Sequence, residues 1–260
     1  MNDTQPTDAP EPPTVLLVHG AFAESASWNG VIANLHRRGR RVVAVANPLR
    51  SLQDDAAYLR SIIDGFPGPV VVAGHSYGGS VMSEAADGAP NVKALVYIAS
   101  FNLEPGESTA QLAGKFPGGQ LGPALEPFSF PLPDGGTGTD LYIKPDRFHD
   151  VFAADVAPDV AELMAATQRP IAASALEDIA TKAAWRTIPS WTMVTRHDLA
   201  IPAESMLFMA ERAGSTTVEI DASHAVTVSR PDAVAELIEE AVRATAGAAT
   251  SDTADHAAVG

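Results

Sequence analysis

Short apolar runs alternate with amphipathic stretches along most of this chain, and this alternation limits the possible folds more than any other feature. The runs are rich in valine and almost continuously apolar, as strands buried on both faces of a sheet are. The six predicted strands are Thr14–Val18, Arg41–Ala46, Pro69–Ala73, Val92–Ala99, Ser190–Thr195 and Thr217–Ile220. The predicted helices are Ser27–Arg37, Leu52–Asp64, Tyr77–Asp87, Ala203–Ala213 and Pro231–Thr245. Strands that alternate with helices of this length imply right-handed crossovers, so we predict an α/β fold with a doubly wound, mainly parallel six-stranded sheet.

The alternation is interrupted once, between residues 101 and 187, where no strand is predicted. This segment has a Gly/Pro-rich first half and a helical second half. Because a structureless loop of that length is uncommon in a compact domain, we predict a mostly helical cap at 101–187, inserted into a core made of 14–100 and 188–246. The polar ends at 1–13 and 247–260 are predicted to be disordered tails.

The composition excludes several kinds of protein. The 17 Lys and Arg residues against 32 Asp and Glu residues leave a formal charge of -15, which argues against nucleic-acid binding. The chain has no cysteine, so disulfides, thiolate metal sites and cysteine nucleophiles are ruled out. It has neither a secretory signal pattern nor an apolar run long enough to span a bilayer. We therefore expect a cytoplasmic protein without a membrane partner, and we predict neither a metal nor a cofactor.

The segment VVVAGHSYGGS, residues 70–80, places Ser76 in the pattern Gly-x-Ser-x-Gly where a predicted strand meets a predicted helix. A serine at such a junction adopts a strained backbone that projects its hydroxyl above the sheet, and the flanking glycines remove side chains that would collide there. A Gly-rich turn before a helix can instead bind phosphate, but neither of the usual phosphate-binding glycine patterns is present. We predict that Ser76 is a nucleophile.

A serine nucleophile needs a histidine base and an orienting acid, which follow it in this type of fold in the order acid, then histidine. His224 comes directly after the last predicted strand, where a loop at the carboxyl edge of the sheet would bring it to Ser76. The other six histidines lie before the required position, beside the acid, in the cap or in a tail: His19, His36, His75, His149, His197 and His256. We predict that His224 is the base.

The acid is expected in another loop at the same edge. Asp198, in TRHDLAIP, lies just past the fifth predicted strand and is our choice. Glu104 is the alternative, because the loop after the fourth strand reaches the same edge. Asp221, three residues before His224, is less well placed.

An oxyanion needs two backbone N–H donors aimed at it. The first is predicted to be the N–H of Tyr77, the residue after the nucleophile. The second is expected from the loop after the first strand, from Ala21 or alternatively from Phe22. We expect His19 and Trp28 to hold that loop by hydrogen bonding and packing.

Four stretches, read together, resemble the α/β-hydrolase superfamily across residues 14 to 246: LLVHGAFAESASWNGVIANLHRRGRRVVAVANP, GHSYGG, TRHDLAIP and ASHAVTVSRPDAVAELI. They are most similar to its compact, small-cap branch, which includes plant methyl esterases, hydroxynitrile lyases and bacterial relatives. The resemblance implies a triad of Ser76, Asp198 and His224, with Ala21 and Tyr77 as oxyanion donors.

The same resemblance separates hydrolysis from lyase chemistry. Lyases of this branch carry a threonine after the first-strand histidine and a lysine after the catalytic histidine, where this chain has Gly20 and Ala225. Without the lysine nothing obvious stabilises a departing cyanide, so hydrolysis is favoured. Haloalkane dehalogenases and epoxide hydrolases are similar in fold but use an aspartate nucleophile, and Ser76 argues against both.

We therefore expect a cofactor-free serine esterase that acts on a small carboxylic ester through an acyl-enzyme. Lyase-like chemistry, cofactor-free perhydrolysis of the haloperoxidase type, C–C or C–N cleavage, and a ligand receptor on a hydrolase scaffold stay open as alternatives. We expect the large apolar residues of the predicted cap either to line the substrate pocket or to pack inside the cap. They are Phe128, Phe130, Phe148, Phe152, Met164 and Trp185.

Overall fold

A six-stranded parallel sheet forms the centre of the protein. The computed structural model describes the backbone of residues 12–255 and the side chains of residues 12–245. The strands, in chain order, are β1 (Thr14–Val18), β2 (Val42–Val45), β3 (Val70–His75), β4 (Val92–Ile98), β5 (Leu125–Pro131), β6 (Thr137–Ile143), β7 (Ile171–Ala172), β8 (Ser190–Thr195) and β9 (Thr216–Ile220). The central sheet has the order β2-β1-β3-β4-β8-β9, and each neighbouring pair is parallel. The predicted fold class is confirmed.

Helices connect the strands and cover both faces of this sheet, and further helices lie in the cap between β4 and β8. In chain order the helices are α1 (Asn29–Arg37), α2 (Leu52–Asp64), α3 (Tyr77–Ala86), α4 (Thr109–Ala113), α5 (Leu121–Ala124), α6 (Pro145–Phe152), α7 (Pro158–Thr167), α8 (Ala173–Glu177), α9 (Ala203–Ala213), α10 (Val226–Ser229) and α11 (Pro231–Asp255). Of these, α4 to α8 are the helices of the cap. Helix α11 runs beyond its predicted end at Thr245 to Asp255, so it continues through most of the predicted C-terminal tail at 247–260. The predicted N-terminal tail at 1–13 lies largely outside the described residues. None of the helices within the described chain is long and apolar enough to span a membrane.

The burial of the strands explains why their sequences are continuously apolar. Every residue of β1 and β3 is buried, because both strands lie in the interior of the sheet with helices on each face. The edge strands β2 and β9 are only partly buried. The interior strands therefore form a rigid base, and the loops at their carboxyl ends carry the candidate site.

The cap between β4 and β8 differs from the prediction. The expectation that residues 101–187 contain no strand is wrong, because β5 and β6 form an antiparallel hairpin to which the short β7 is added. The prolines of this segment argued against a strand, but β5 lies at the edge of the small sheet, where a missing N–H is tolerated. The hairpin turns at residues 132–136, where Gly135 has a φ of 87°. Helices remain the most common regular element of the cap.

Candidate active site

Ser76 lies in the tight turn between β3 and α3. Its backbone has φ 54° and ψ -129°, a strained conformation for a residue with a side chain. A Cβ on Gly74 would lie 2.7 Å from the backbone of Gly78, and one on Gly78 would overlap the carbonyl oxygen of Val18. Only glycine fits at both positions, which explains the crowding of glycines around the serine. The hydroxyl of Ser100 also donates to the Ser76 carbonyl at 2.5 Å and supports the turn.

The three residues of the predicted triad meet at the carboxyl edge of the sheet. Nε2 of His224 is 2.9 Å from Oγ of Ser76, and its Nδ1 is 2.7 Å from Oδ2 of Asp198. Since a carboxylate only accepts, Nδ1 carries the proton and Nε2 is free to accept from the serine hydroxyl. All three side chains belong to buried residues. The arrangement therefore links Ser76, His224 and Asp198 by direct hydrogen bonds.

Asp198 is held by donors on both of its oxygens. Oδ1 accepts from the N–H groups of Ala200 and Ile201, each at 2.8 Å. Oδ2 accepts from the hydroxyl of Thr195 at 2.8 Å as well as from His224. The loop after β8 thus fixes the carboxylate in the orientation that the imidazole requires.

The two alternative acids have other partners. Glu104 forms an ion pair with Arg186 at the base of the cap. Asp221 forms an ion pair with Arg196 at 2.8 Å on the exposed surface. Within the described part of the chain, neither carboxylate is hydrogen-bonded to His224. The geometry therefore favours Asp198 over both.

The oxyanion donors expected from the sequence lie next to the nucleophile. Tyr77 is the first residue of α3, and Ala21 lies in the loop after β1. Among residues 12–245, neither backbone N–H has a hydrogen-bond acceptor. The N–H of Phe22, the alternative donor, is already bonded to the carbonyl oxygen of Arg169 at 3.1 Å. Ala21 therefore remains the better second donor.

The loop that carries Ala21 is pressed against the nucleophile at Gly20. A Cβ on Gly20 would lie 2.6 Å from Cβ of Ser76 and 2.8 Å from the carbonyl oxygen of His75. The ring of His19 holds this loop, as expected: Nδ1 donates to the Gly20 carbonyl at 2.9 Å, and Nε2 accepts from the N–H of Asn47 at 3.0 Å. Burial lowers the pKa of His19 to about 4, so the ring is neutral and can do both.

Two residues whose contact with the imidazole of His224 was not predicted from the sequence enclose it: His75, considered only as a possible base, and Phe152, named only as a cap residue. The rings of His75 and Phe152 each lie with their centroids 4.8 Å from it. Nε2 of His75 also donates to the carbonyl oxygen of His224 at 2.9 Å. Trp28 packs edge-on against His75, with ring centroids 6.4 Å apart, but its indole N–H has no partner in the described chain. Trp28 therefore contributes packing only.

The cap supports the loop of the base. The N–H of Ala225 donates to the carbonyl oxygen of Phe152 at 2.9 Å, and the hydroxyl of Ser223 donates to Asp155 at 2.5 Å. No sequence signal marked Phe152 for this role, because it lies in the cap far from the motifs. The other large cap residues mostly pack the cap itself: Phe148 and Trp185 are buried, Phe130 and Met164 partly buried, and Phe128 is half exposed.

The site holds groups of the kind used in acyl transfer: a serine hydroxyl bonded to a histidine that a carboxylate orients, and two N–H groups that have no acceptor within the described chain. Among the described residues, no group of three or more His, Asp or Glu side chains is arranged to hold a metal ion. A parallel sheet with a serine in a strand-to-helix turn and a cap above it defines the α/β hydrolase class.

Comparison with known proteins agrees with this class. The model of the alpha/beta hydrolase family matches residues 15–237, and the chain belongs to that family. The alpha/beta hydrolase nvfD of Aspergillus novofumigatus is 28% identical over 251 residues, which cover 88% of this chain and 96% of the fungal protein.

Solved structures show the same fold. The structure of polyneuridine aldehyde esterase superposes with a TM-score of 0.77 at 20% identity, covering 88% of this chain and 99% of that protein. Methylesterase MES16 from Arabidopsis gives a TM-score of 0.74 at 18% identity, covering 89% and 99%. The chain is thus an α/β hydrolase with esterases among its structural neighbours, and the resemblance noted in the sequence is confirmed.

Proposed function

We propose that this protein is a serine hydrolase that cleaves a small carboxylic ester through an acyl-enzyme. The observation that carries the proposal is the unbroken hydrogen-bonded series from Asp198 through His224 to Ser76, beside two N–H groups that have no acceptor among the described residues. Each of these groups has a defined task in acyl transfer.

In the first half-reaction, Oγ of Ser76 attacks the acyl carbon while Nε2 of His224 takes its proton. Asp198 stabilises the resulting imidazolium, and the N–H groups of Ala21 and Tyr77 donate to the oxyanion of the tetrahedral intermediate. As the intermediate collapses, the C–O bond to the alcohol breaks and His224 returns its proton to the departing oxygen. The acyl group is then bound to Ser76.

In the second half-reaction, His224 removes a proton from water, which attacks the acyl carbon. A second tetrahedral intermediate uses the same two N–H donors. Its collapse releases the carboxylic acid and returns the proton to Ser76.

Two positions argue against cyanohydrin cleavage. Gly20 has no room for a side chain, since even a Cβ would lie 2.6 Å from Cβ of Ser76. Ala225, which follows the base, is buried and supplies no cation to stabilise a leaving cyanide. Ester hydrolysis needs neither a hydroxyl at position 20 nor a charge at position 225.

The test is to incubate the purified protein with p-nitrophenyl acetate, p-nitrophenyl butyrate and a graded series of small methyl esters. We expect multiple turnovers, and after a rapid quench a mass increase equal to the acyl group on the peptide that contains Ser76. Ligand-induced thermal stabilisation without turnover would instead indicate a receptor. Peracid formation on addition of hydrogen peroxide, faster than hydrolysis, would indicate perhydrolysis.

Mandelonitrile provides the comparison with lyase chemistry. We expect cyanide release at the rate of the buffer alone. Release that depends on His224, without an acyl adduct from any ester tried, would overturn the proposal in favour of a lyase.

A further inference from the structure

The side chain of Tyr77 makes a buried contact that the proposed mechanism does not use. Its hydroxyl donates to Oδ2 of Asp55 on α2 at 2.9 Å. Oδ1 of the same carboxylate accepts from the backbone N–H of Arg50 at 3.1 Å. Asp55 is completely buried, and burial raises the pKa of both Asp55 and Tyr77. Burying a carboxyl group costs free energy that an apolar pair of similar size would not, so stability alone does not explain this contact.

The location of the contact suggests what it does. Tyr77 is the residue whose own N–H is the proposed oxyanion donor, and it stands directly after Ser76. Its backbone is held at one end by the strained turn, and its side chain is held at the other end by Asp55 on a different helix. The residue is therefore fixed from two directions, which limits rotation of the peptide that carries the N–H.

Arg50 extends this contact to the cap. Its guanidinium pairs with Asp140 of β6 at 2.8 Å and donates to the carbonyl oxygen of Pro170 at 3.0 Å. It also lies 5.2 Å from the ring centroid of Phe130 on β5. The residue whose N–H holds Asp55 thus also holds the cap hairpin.

The loop between β2 and α2, residues 46–51, reaches the second oxyanion donor as well. The N–H of Asn47 donates to Nε2 of His19 at 3.0 Å, and its side-chain amide donates to the His19 carbonyl at 3.0 Å. His19 in turn holds Gly20, next to Ala21. One loop therefore contacts the supports of both donors.

We propose that Asp55 and Tyr77 are a positioning pair that keeps the Tyr77 N–H directed at the oxyanion, with Arg50 connecting the pair to the cap. This inference rests on the proposed function, since it concerns the oxyanion of an acyl transfer. Neither side chain touches the reacting atoms. The pair acts on the intermediate rather than on the bound ester, so its loss lowers kcat and leaves KM nearly unchanged.

The deciding experiment compares Tyr77→Phe with Tyr97→Phe. Tyr97 is also fully buried, and its hydroxyl has one partner, Oγ of Ser83 at 2.6 Å, but it lies on β4 and carries no oxyanion donor. Both changes remove one buried phenolic hydroxyl that has a hydrogen-bond partner. The Tyr97 variant therefore controls for the loss of a buried hydroxyl in general.

For Tyr77→Phe we expect kcat to fall about 10-fold, less than the roughly 10²–10³ that complete loss of an oxyanion donor costs. KM should stay within about twofold of the wild-type value. A trifluoromethyl ketone forms an oxyanion on Ser76, so its inhibition constant should rise by the same factor as kcat falls. For Tyr97→Phe we expect kcat within about twofold of the wild type. Its drop in Tm should be the smaller of the two, because it loses a hydrogen bond to a neutral hydroxyl where Tyr77→Phe loses one to a buried carboxyl group.

Asp55→Asn supplies a second test if the first variant is poorly stable. The amide preserves the shape but has one acceptor oxygen where the carboxylate has two, so it cannot serve both Tyr77 and Arg50 as before. We expect its kcat to fall about as far as in Tyr77→Phe, and the double variant to be no slower than the slower single variant, because both changes break one contact.

Equal losses of kcat in Tyr77→Phe and Tyr97→Phe would overturn the inference, as would a loss confined to KM with the ketone unaffected. The rate at which a p-nitrophenyl phosphonate modifies Ser76 separates this outcome from failure of the proposed function. A wild type that is phosphonylated but turns over no ester would overturn the esterase proposal. In that case a slower phosphonylation of Tyr77→Phe than of Tyr97→Phe would still support the positioning pair. A wild type whose Ser76 does not react would overturn both.

Discussion

Nε2 of His75 donates to the carbonyl oxygen of His224 at 2.9 Å, which joins the residue before the nucleophile directly to the backbone of the base. Burial, with a smaller contribution from the nearby charge of His224, lowers the pKa of His75 to about 3. In the proposed mechanism the ring of His75 therefore stays neutral while His224 gains and loses a proton. A charged ring at this position would oppose the protonation of His224.

The neutral state of His75 makes the stability of the protein depend on pH. In the unfolded chain a histidine binds a proton below about pH 6.5, whereas the folded chain keeps His75 unprotonated to about 3 and His19 to about 4. Since the unfolded state binds more protons, stability is highest above pH 6.5 and falls as the pH drops through the interval below it. When the pH is lowered from 7 to 5, His75 and His19 should each lower the free energy of unfolding by about 2 kcal/mol.

Guanidinium chloride unfolding at the two pH values measures this effect. In His75→Gln the difference between pH 7 and pH 5 should be smaller than in the wild type by about 2 kcal/mol. The exposed His36→Gln is the control for loss of an imidazole. An identical pH dependence in His75→Gln and in the wild type would contradict the assignment.

Ser76→Ala should abolish ester hydrolysis, with a loss on the order of 10⁶, the scale seen when the nucleophile of a serine triad is removed. Its Tm should change by only a few degrees, because the hydroxyl makes little packing contact. Ser80→Ala, in the helix that follows Ser76 and also buried, is the matched control and should retain activity. Undiminished hydrolysis by Ser76→Ala would refute the nucleophile.

Asp198→Asn should keep the fold but lower kcat by about 10⁴, because an amide donates where the carboxylate accepts and so favours the wrong imidazole tautomer. Glu104→Gln is the control, since Glu104 is paired with Arg186 and not with His224. Steady-state kinetics on the same ester decide between them. If the Glu104 variant were the slower of the two, the acid would come from the loop after β4.

Gly20→Ala should lower ester hydrolysis at least 100-fold and destabilise the fold by about 1–3 kcal/mol. The added methyl group would lie 2.6 Å from Cβ of Ser76, so either the nucleophile or the loop of Ala21 has to move. Gly122→Ala, where a Cβ would meet nothing within 4 Å, is the control and should behave as the wild type. Kinetics and thermal unfolding of both variants test the prediction. An active Gly20→Ala would show that this loop does not contribute to the oxyanion site.

The sequence by itself predicted the six strands of the central sheet to within two residues at each end, and it predicted the helices α2 and α9 at their observed limits. These elements are readable because burial on both faces of a strand, or on one face of a helix, imposes a periodic pattern on neighbouring residues. Ser76 could be predicted for a related reason. Its tight turn leaves no room for side chains two residues before and two residues after it, so glycines mark the turn in the sequence. The positions of Asp198 and His224 followed from strand order, because parallel strands end at one edge.

Other features were decided only by the tertiary structure. The hairpin of β5 and β6 was missed because an edge strand tolerates Pro127 and Pro131, which read locally as strand breakers. The contacts of His75 with His224 and of Tyr77 with Asp55 join residues 149 and 22 positions apart. No local pattern marks such pairs, because their proximity depends on how the sheet, α2 and the cap pack together. Steric limits and periodic burial act on residues that are close in the sequence, so they can be predicted from it. Contacts between distant segments exist only once the chain has folded.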